Sequence, residues 1–316
     1  MTRTALGMAY LTHAQLGNHN AGEGSSQLSE LKMYGNRPYI SGQAYRHAIR
    51  EALQELADDE RVNCTPQDAC GELTECLLCD LFGYMNTDLE EPTPAKRVSP
   101  LRVTPLVGQY DAEVTTDMIL QYAPGGSRKK DDDAESSDTS DGPDNKIGYR
   151  ELTENVYKGA WMVDCESIGQ RERDGFNGDE DPGHRYERDF ETVAEDTDAR
   201  GRVLIDALQN ASGLAGQARH MADFMPDVVV GTATDTYSQR VTNALHLEDG
   251  ALNIPAFESV LADLTHDGGS VWVAGTHNPT VMDNWDAFFD AAADAEGVEV
   301  CDSVSACYDE ITATFG

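Results

Sequence analysis

The order of hydrophobic patterns along the chain predicts a mixed α+β fold built as one domain, residues 1–316. Three observations lead to this prediction. A strand-like segment opens the chain at Thr4–Leu11, an amphipathic helix begins near Ile40, and further strand and helix patterns alternate behind them. Without the polar and cysteine-containing segments that interrupt it, the order is strand, helix, strand, strand, helix, strand. That order matches the ferredoxin-like core of RNA-recognition motifs, here with large insertions.

The first helix carries the clearest chemical signal. Its polar side has Gln43, Arg46, His47 and Arg50 at three- and four-residue steps, and Ser41 is placed to cap its start. Unpaired N–H groups of the first turn add partial positive charge there, so anionic oxygen would be attracted. An ordinary amphipathic helix with solvated basic residues explains the pattern equally well. The apolar face consists of Ile40, Ala44, Tyr45, Ala48, Ile49, Ala52, Leu53 and Leu56.

The later elements follow in order. The segment Lys158–Val163 matches the RNA-recognition strand signature only in part, because aromatic residues are missing from the stacking positions, and Trp161 is predicted to be a core side chain. The predicted elements are an extended piece at Ser99–Val107, a strand at Val156–Cys165, a helix at Arg202–Ala211, a strand at Asp227–Gly231, a strand at Ser270–Ala274, a helix around Trp285, Phe288 and Phe289, and a short apolar piece at Val298–Cys301.

Several segments read as insertions or additions to this core. Residues 61–95 are punctuated by cysteine and proline, residues 125–146 have no apolar periodicity and read as a mobile tip, and residues 168–192 read as a flexible polar loop. Residues 233–316 are expected to elaborate the C-terminal side of the core.

The chain is strongly acidic, with 57 Asp and Glu against 23 Lys and Arg and a formal net charge of -34. At ordinary salt such a chain repels nucleic acid. The acids are spread along a chain that is 40% hydrophobic, which indicates a folded protein with an acidic surface. Adaptation to a salt-rich, halophilic cytoplasm explains this surface, because salt shortens the range of charge interactions. Nucleic-acid binding would then need close contacts in a locally basic groove.

The compartment is predicted to be the cytoplasm. No apolar run is long enough for a membrane span, and the N-terminus lacks a signal-peptide pattern. The seven cysteines are an odd number, which argues against a secreted disulfide framework.

Four cysteines, Cys64, Cys70, Cys76 and Cys79, lie close together in the insertion, which suffices for a tetrahedral structural zinc site. Only the last pair has the usual two-residue gap. Free thiols packed as small apolar residues are the alternative. A catalytic zinc is disfavoured because no His-x-Glu partner accompanies the cysteines. The remaining cysteines are expected at core positions: Cys165, Cys301 and Cys307.

Several motifs together resemble one family. They are the Asn18–Asn20 loop after the first strand, the helix start Ile40–Arg50, Ser99–Arg102, and the stretch from Leu214–Arg219 through Pro226–Val230. They resemble the CRISPR-associated backbone subunit of the Cascade effector, type I-B, DevR-like branch, over roughly residues 4–232. The resemblance implies an elaborated RNA-recognition fold that polymerises head to tail along a CRISPR RNA. It also implies a thumb hairpin within about residues 108–149 that wedges between bases.

The resemblance also implies which residues contact the guide. The helix start, the loop after the first strand, the start of the palm strand and the thumb tip would line one groove. The glycines near residue 214 would let the chain approach phosphate, although a helix C-cap explains that turn equally well. The implied RNA-binding residues are Asn18, His19, Gln43, Arg46, His47, Arg50, Ser99, Arg102, Arg128, Lys129, Lys130, Gly213, Gly216, Gln217 and Arg219.

The function expected from all this is a crRNA-binding, non-enzymatic backbone subunit of a type I Cascade complex. Its expected partners are CRISPR RNA, target DNA through the guide, further copies of itself in a filament, and other Cascade subunits, without a membrane. Two alternatives stay open: a metal-dependent nucleic-acid-processing enzyme, and an acidic interaction protein without RNA. The sequence contains no nucleotide-binding or nucleophile-elbow motif that would favour an enzyme.

Overall fold

The computed structural model describes residues 5–19, 28–57, 60–87, 96–121, 146–173, 189–211, 214, 222–266 and 268–316. These residues form a mixed α+β structure with a central sheet and helices on both of its faces, which confirms the predicted class. The strands are β1 (Ala5–Gly17), β2 (Leu28–Ser29), β3 (Met33–Tyr34), β4 (Arg37–Ile40), β5 (Tyr84–Met85), β6 (Lys96–Arg97), β7 (Leu101–Val103), β8 (Leu106–Gly108), β9 (Thr115–Gln121), β10 (Lys146–Asp164), β11 (Gln170–Arg173), β12 (Asp189–Thr192), β13 (Val228–Thr234), β14 (Leu247–Glu248), β15 (Ala251–Leu252), β16 (Ser270–Gly275) and β17 (Val298–Val300). The helices are α1 (Gly42–Leu56), α2 (Leu77–Phe82), α3 (Thr197–Gln209), α4 (Ile254–Thr265), α5 (Trp285–Asp294) and α6 (Val304–Thr312), with short 3-10 turns at Glu60–Val62, Cys165–Ser167 and Arg240–Asn243.

Strand β1 lies at the centre of the main sheet, which within the described residues runs in the order β17, β16, β13, β1, β10, β8, β4, β3. β1 is antiparallel to both neighbours: Tyr10 is opposite Gly159 of β10 and Val229 of β13. A side-chain carbon at Gly159 would lie 2.5 Å from the Tyr10 ring, so only glycine fits opposite this tyrosine. β7 pairs with the same long strand β10, placing Arg102 opposite Met162.

Helices cover both faces of the sheet around β1. The first seven residues of β1 are accordingly apolar, as is typical of a strand that is buried on both faces. Its side chains Leu6, Met8 and Tyr10 face a core shared with α1, α2, α3 and α6, whereas Ala9 and Leu11 face a second core beneath α4 and α5. The predicted core side chain Trp161 is buried in the first core, where its ring stacks on Tyr308 of α6 at 6.4 Å.

Most predicted elements are present, and the differences include the end of α1 and the start of α3. Leu56, assigned to the apolar face of α1, is exposed at the end of that helix. Helix α3 begins at Thr197 instead of Arg202. The sequence pattern misses this first turn because Arg200 reads as a surface residue, yet its side chain is buried against Asp80.

The inserted segments contain ordered hairpin stems. β9 pairs with the N-terminal half of β10, from Thr115 opposite Leu152 to Gln121 opposite Lys146. β11 pairs with β12, so the ends of the segment predicted as a flexible loop form a two-stranded sheet. Residues 122–145 and 174–188, which include most of the predicted tip at residues 125–146, lie outside the described residues.

Candidate nucleic-acid interface and cysteine cluster

The N-terminal end of α1 is capped as the sequence predicts and presents open polar side chains. Ser41 Oγ accepts a hydrogen bond from the Ala44 N–H at 3.3 Å. Gln43 and His47 are exposed, and His47 Nε2 lies 3.4 Å from Glu51 Oε1 on the next turn. Both side chains are therefore accessible to an external acceptor such as a phosphate.

Arg46 lies on the same helix but is largely occupied inside the protein. Its Nη1 donates to the Leu101 carbonyl at 2.7 Å, and its Nη2 donates to the Phe82 carbonyl at 2.6 Å and to Ser99 Oγ at 3.2 Å. Burial, followed by the neighbouring charge of Arg50, lowers the pKa of Arg46. The guanidinium thus joins α1 to the end of α2 and to the start of β7, with its Nε–H and one Nη1 hydrogen remaining.

Arg50 lies one helical turn further along α1 and contacts the same aromatic ring. The guanidinium carbons of Arg50 and Arg46 lie 5.0 and 5.5 Å from the centre of the Phe82 ring. Within the described residues, neither arginine has a carboxylate at ion-pair distance. In so acidic a chain, two adjacent guanidinium groups without acids mark an unusual electrostatic environment.

Ser99 lies just before strand β7, and Arg102 is the middle residue of that strand. Ser99 Oγ lies 2.9 Å from the Leu81 carbonyl and 2.7 Å from the Leu101 carbonyl, in direct contact with Arg46. Arg102 is exposed, and its guanidinium carbon lies 5.0 Å from the Tyr237 ring on the sheet face that α4 and α5 cover. The structure therefore brings Arg46 and Ser99 together on the face of β7 that α1 covers, and it places Arg102 on the opposite face of β7.

Asn18 and His19 are buried, and their assignment to the guide-binding groove stays a prediction. His19 Nδ1 lies 2.8 Å from the Tyr157 hydroxyl, and its Nε2 lies 2.7 Å from the Gln15 carbonyl. Its ring also packs edge-on against Tyr157 and Phe224. Both ring nitrogens of His19 are therefore engaged inside the fold.

The remaining expected guide contacts belong to two segments outside the part of the chain that the structure describes. The first is the basic start of the thumb tip, and the second is the glycine-containing turn after α3. These residues are Arg128, Lys129, Lys130, Gly213, Gly216, Gln217 and Arg219.

The four cysteines of the insertion meet in space. Their sulfur atoms all lie within 4.8 Å of one another, and those of Cys70 and Cys79 are 3.7 Å apart. Backbone N–H groups point at two of the sulfurs, from Cys70 to Cys64 Sγ and from Cys79 to Cys76 Sγ, each at 3.4 Å. A tetrahedral zinc site with Zn–S bonds of about 2.3 Å separates its sulfur atoms by about 3.8 Å. The residues present therefore fit a metal ion such as zinc.

Hydrogen bonding within the cluster favours a thiolate. A hydrogen bond from the Cys79 thiol, together with the Cys79 N–H and despite burial, lowers the pKa of Cys76 to about 5. The hydrogen bond to Cys76 and burial raise the pKa of Cys79. These opposite shifts favour the thiolate form at Cys76, and thiolate is the form that binds metal.

A buried ion network fastens the insertion to the core. Asp80, between Cys79 and Phe82 on α2, is paired with Arg97 of β6 and with Arg200 of α3. The Gly169 N–H donates to both carboxylate oxygens, at 3.1 and 3.0 Å. The sequence contains Asp80 beside the cysteines, but no local pattern connects it to arginines so far along the chain.

Most of the chain matches the sequence model of one protein family. The model of the CRISPR-associated negative auto-regulator DevR/Csa2 family matches residues 29–249. The chain belongs to this family. The match confirms the resemblance carried by the helix start and the palm-strand motif, and it covers the cysteine insertion and strands β3 to β14, whereas β1 lies before it. No curated protein matches the chain.

Solved structures with the same overall fold confirm the architecture of this DevR/Csa2 family member. A chain of a CRISPR RNA-guided surveillance complex is 16% identical with a TM-score of 0.54, over 98% of this chain and 99% of that one. A chain of a pre-nicking CRISPR RNA-guided surveillance complex is 14% identical with a TM-score of 0.57, over 99% of this chain and 100% of that one.

In the described part of the chain, every helix is too short or too polar to cross a bilayer.

Proposed function

We propose that this DevR/Csa2 family member is a non-catalytic backbone subunit that binds CRISPR RNA in a type I Cascade surveillance complex. The observation that carries the proposal is the set of cationic groups around α1 and β7 that lack acidic partners. Arg46 and Arg102 have no carboxylate at ion-pair distance among the described residues, whereas Arg61, Arg97 and Arg240 each pair with an aspartate. Arginines left without acids in a chain of net charge -34 are suited to an external anion.

The guide backbone would run along the edge of β7 that faces away from β10. Arg46 reaches the Leu101 carbonyl from one face of this strand, and Arg102 lies on the other face at the next residue. Gln43 and His47 would add donors from the exposed end of α1. Contacts of this kind hold phosphates without reading bases, which suffices because pairing between guide and target reads the sequence.

The core would be a variant of the RNA-recognition motif. Support comes from the antiparallel order β13, β1, β10, β7, which is the order of the four ferredoxin-like strands. The β9–β10 stem would be the base of a thumb that meets the guide and the next copy of the chain. Copies would assemble head to tail with other Cascade subunits in a salt-rich cytoplasm and present the guide to target DNA.

The cysteine cluster would hold a structural zinc ion. The sulfur spacing supports this, and bound zinc would supply a fixed tetrahedral cross-link within a segment that has little core of its own. Cys79→Ser should lose zinc and lower the melting temperature, and Cys165→Ser, outside the cluster, should keep zinc. Absence of zinc from the native protein by elemental analysis would remove the idea.

The RNA proposal is tested by purifying the protein in molar salt, extracting nucleic acid and sizing it. A discrete short RNA supports guide binding, and its absence favours an acidic interaction protein. Binding of a CRISPR RNA should then be measured across salt concentrations for Arg102→Ala and for Arg240→Ala. Arg102→Ala should reduce the slope of log affinity against log salt by about 1. Arg240→Ala removes the same charge from an arginine paired with Asp263, and an equal effect of both variants would refute the assigned path.

A further inference from the structure

Arg50 is joined to the cysteine cluster through the short helix α2. Cys76 is the N-cap residue of this helix and Cys79 lies within it, so both thiols are fixed by the same turn of backbone. Phe82 ends the helix, and its ring is the surface on which the Arg50 guanidinium rests, 5.0 Å from the ring centre. Side chains three residues apart on a helix lie on one side, so Cys79 lies on the same side of α2 as Phe82.

The charges around Arg50 point to the thiols as its anionic partners. Its Nε–H is buried and finds no hydrogen-bond acceptor in the described part of the chain, which is costly for a charged group. Burial lowers the pKa of Arg50, and the nearby Cys79 and Cys76 groups counteract that shift by raising it. Within the described residues no carboxylate pairs with Arg50, which leaves the cysteine sulfurs beyond Phe82 as the groups near it that can carry negative charge.

A divalent ion held by four thiolates carries a net charge of about -2. In a protein interior such a charge needs compensation by nearby cations or hydrogen-bond donors. Arg50 and Arg46 both lie against Phe82, and Arg46 is already tied to three oxygen acceptors. Arg50 is therefore the cation that remains for the sulfur cluster.

We propose that Arg50 is a positioning residue of the cysteine site, whose positive charge stabilises the metal-bound thiolates, and that its main role lies there instead of on the guide. This inference depends on the proposed zinc site and not on RNA binding. The inference moves Arg50 from the predicted RNA-facing stripe to the cysteine site. It also explains why α1 carries a basic residue one turn beyond the exposed residues Gln43 and His47.

The test measures two affinities on the same full-length variants. Zinc affinity is obtained by competition with a chromophoric chelator, and RNA affinity is obtained by filter binding with a CRISPR RNA. Arg50→Met should weaken zinc binding by about 10- to 100-fold, the range found for outer partners of metal ligands, and should affect RNA binding less than zinc binding. Arg102→Met should weaken RNA binding more than zinc binding. Arg50→Lys keeps the charge and should restore most of the zinc affinity.

Cobalt substitution separates a charge effect from loss of structure. Co²⁺ bound by thiolates gives a sulfur-to-metal charge-transfer band, and the Arg50→Met protein should show the band of the wild type at saturating cobalt but need more cobalt to reach it. The inference is overturned if Arg50→Met binds zinc as tightly as the wild type, if Arg50→Lys loses as much zinc affinity as Arg50→Met, or if Arg50→Met fails to fold while Arg50→Lys folds with weakened zinc binding. A wild-type protein that takes up no metal would refute the zinc site itself and leave the RNA proposal standing.

Discussion

Arg200 Nη1 donates a 2.8 Å hydrogen bond to Asp80 Oδ2 at a place where neither side chain is more than 2% exposed. Arg97 pairs with the other oxygen of the same carboxylate. Arg200 further donates to the Leu73 and Thr74 carbonyls, each at 2.6 Å, so it binds the insertion between Cys70 and Cys76 as well as just after Cys79. Asp80 is thus the charge that holds the insertion on α3.

Asp80→Asn should therefore unfold the insertion or destabilise the whole protein. Removing the carboxylate leaves the buried Arg97 without its acid and Arg200 with Asp196 alone, and breaking a buried pair in this way typically costs about 3–5 kcal/mol. Urea unfolding measures the change. Asp196→Asn is the matched control, because Asp196 also pairs with Arg200, at 2.7 Å, but is 40% exposed and should cost under about 1 kcal/mol. Equal costs for the two variants would show that the buried network does not stabilise the fold.

Gly83 should tolerate no side chain. It has φ of +68° directly after α2, and an added Cβ would lie 2.5 Å from the Arg97 carbonyl oxygen and 2.8 Å from the Ser99 nitrogen. Because backbone atoms cannot give way as a flexible side chain can, Gly83→Ala should cost well over the roughly 1–2 kcal/mol of a left-handed conformation alone. Gly35→Ala is the control, since Gly35 has φ of +62° and open space around it. Urea unfolding measures the loss of stability of each variant. Equal losses for Gly83→Ala and Gly35→Ala would show that the close backbone contacts of Gly83 do not matter.

Arg46→Ala should affect stability as well as RNA binding. The sequence alone predicts loss of guide retention without unfolding, but the guanidinium also donates to the Leu101 and Phe82 carbonyls. Loss of these charged donors should lower the free energy of unfolding by about 2–3 kcal/mol. His47→Ala, on the same helix with a 67% exposed side chain, should change it by less than about 0.5 kcal/mol. A melting temperature of Arg46→Ala equal to that of His47→Ala would show that these bonds contribute little.

Local patterns predicted the elements that depend on neighbouring residues, such as the start of α1 and the strand containing Trp161. The cysteines were also predictable as a group, because they are close in sequence. The Asp80 network was not, since its arginines belong to β6 and α3 and their polar character conceals their burial. The Arg46 contacts were missed for the same reason. A helical stripe shows which side chains share a face, but not whether another segment covers that face.

Lys158, the lysine of the partial strand signature, lies between Leu11 of β1 and Val107 of β8. Burial lowers the pKa of Lys158 from 10.5 to about 8. Between about pH 8 and 10.5 the unfolded chain therefore holds a proton on this lysine that the native protein has lost, and stability rises with pH across that window. Below about pH 8 both states are charged, and the native protein bears the full cost of the partly buried ammonium. Lys158→Met removes this cost, so the variant should exceed the wild type in free energy of unfolding at pH 7, and the difference should shrink as the pH approaches 10. Urea unfolding at a series of pH values measures the difference, and Lys32→Met, at an exposed position, controls for the loss of one positive charge. A difference between Lys158→Met and wild type that stays constant from pH 7 to pH 10 would show that the Lys158 ammonium is solvated in the native protein.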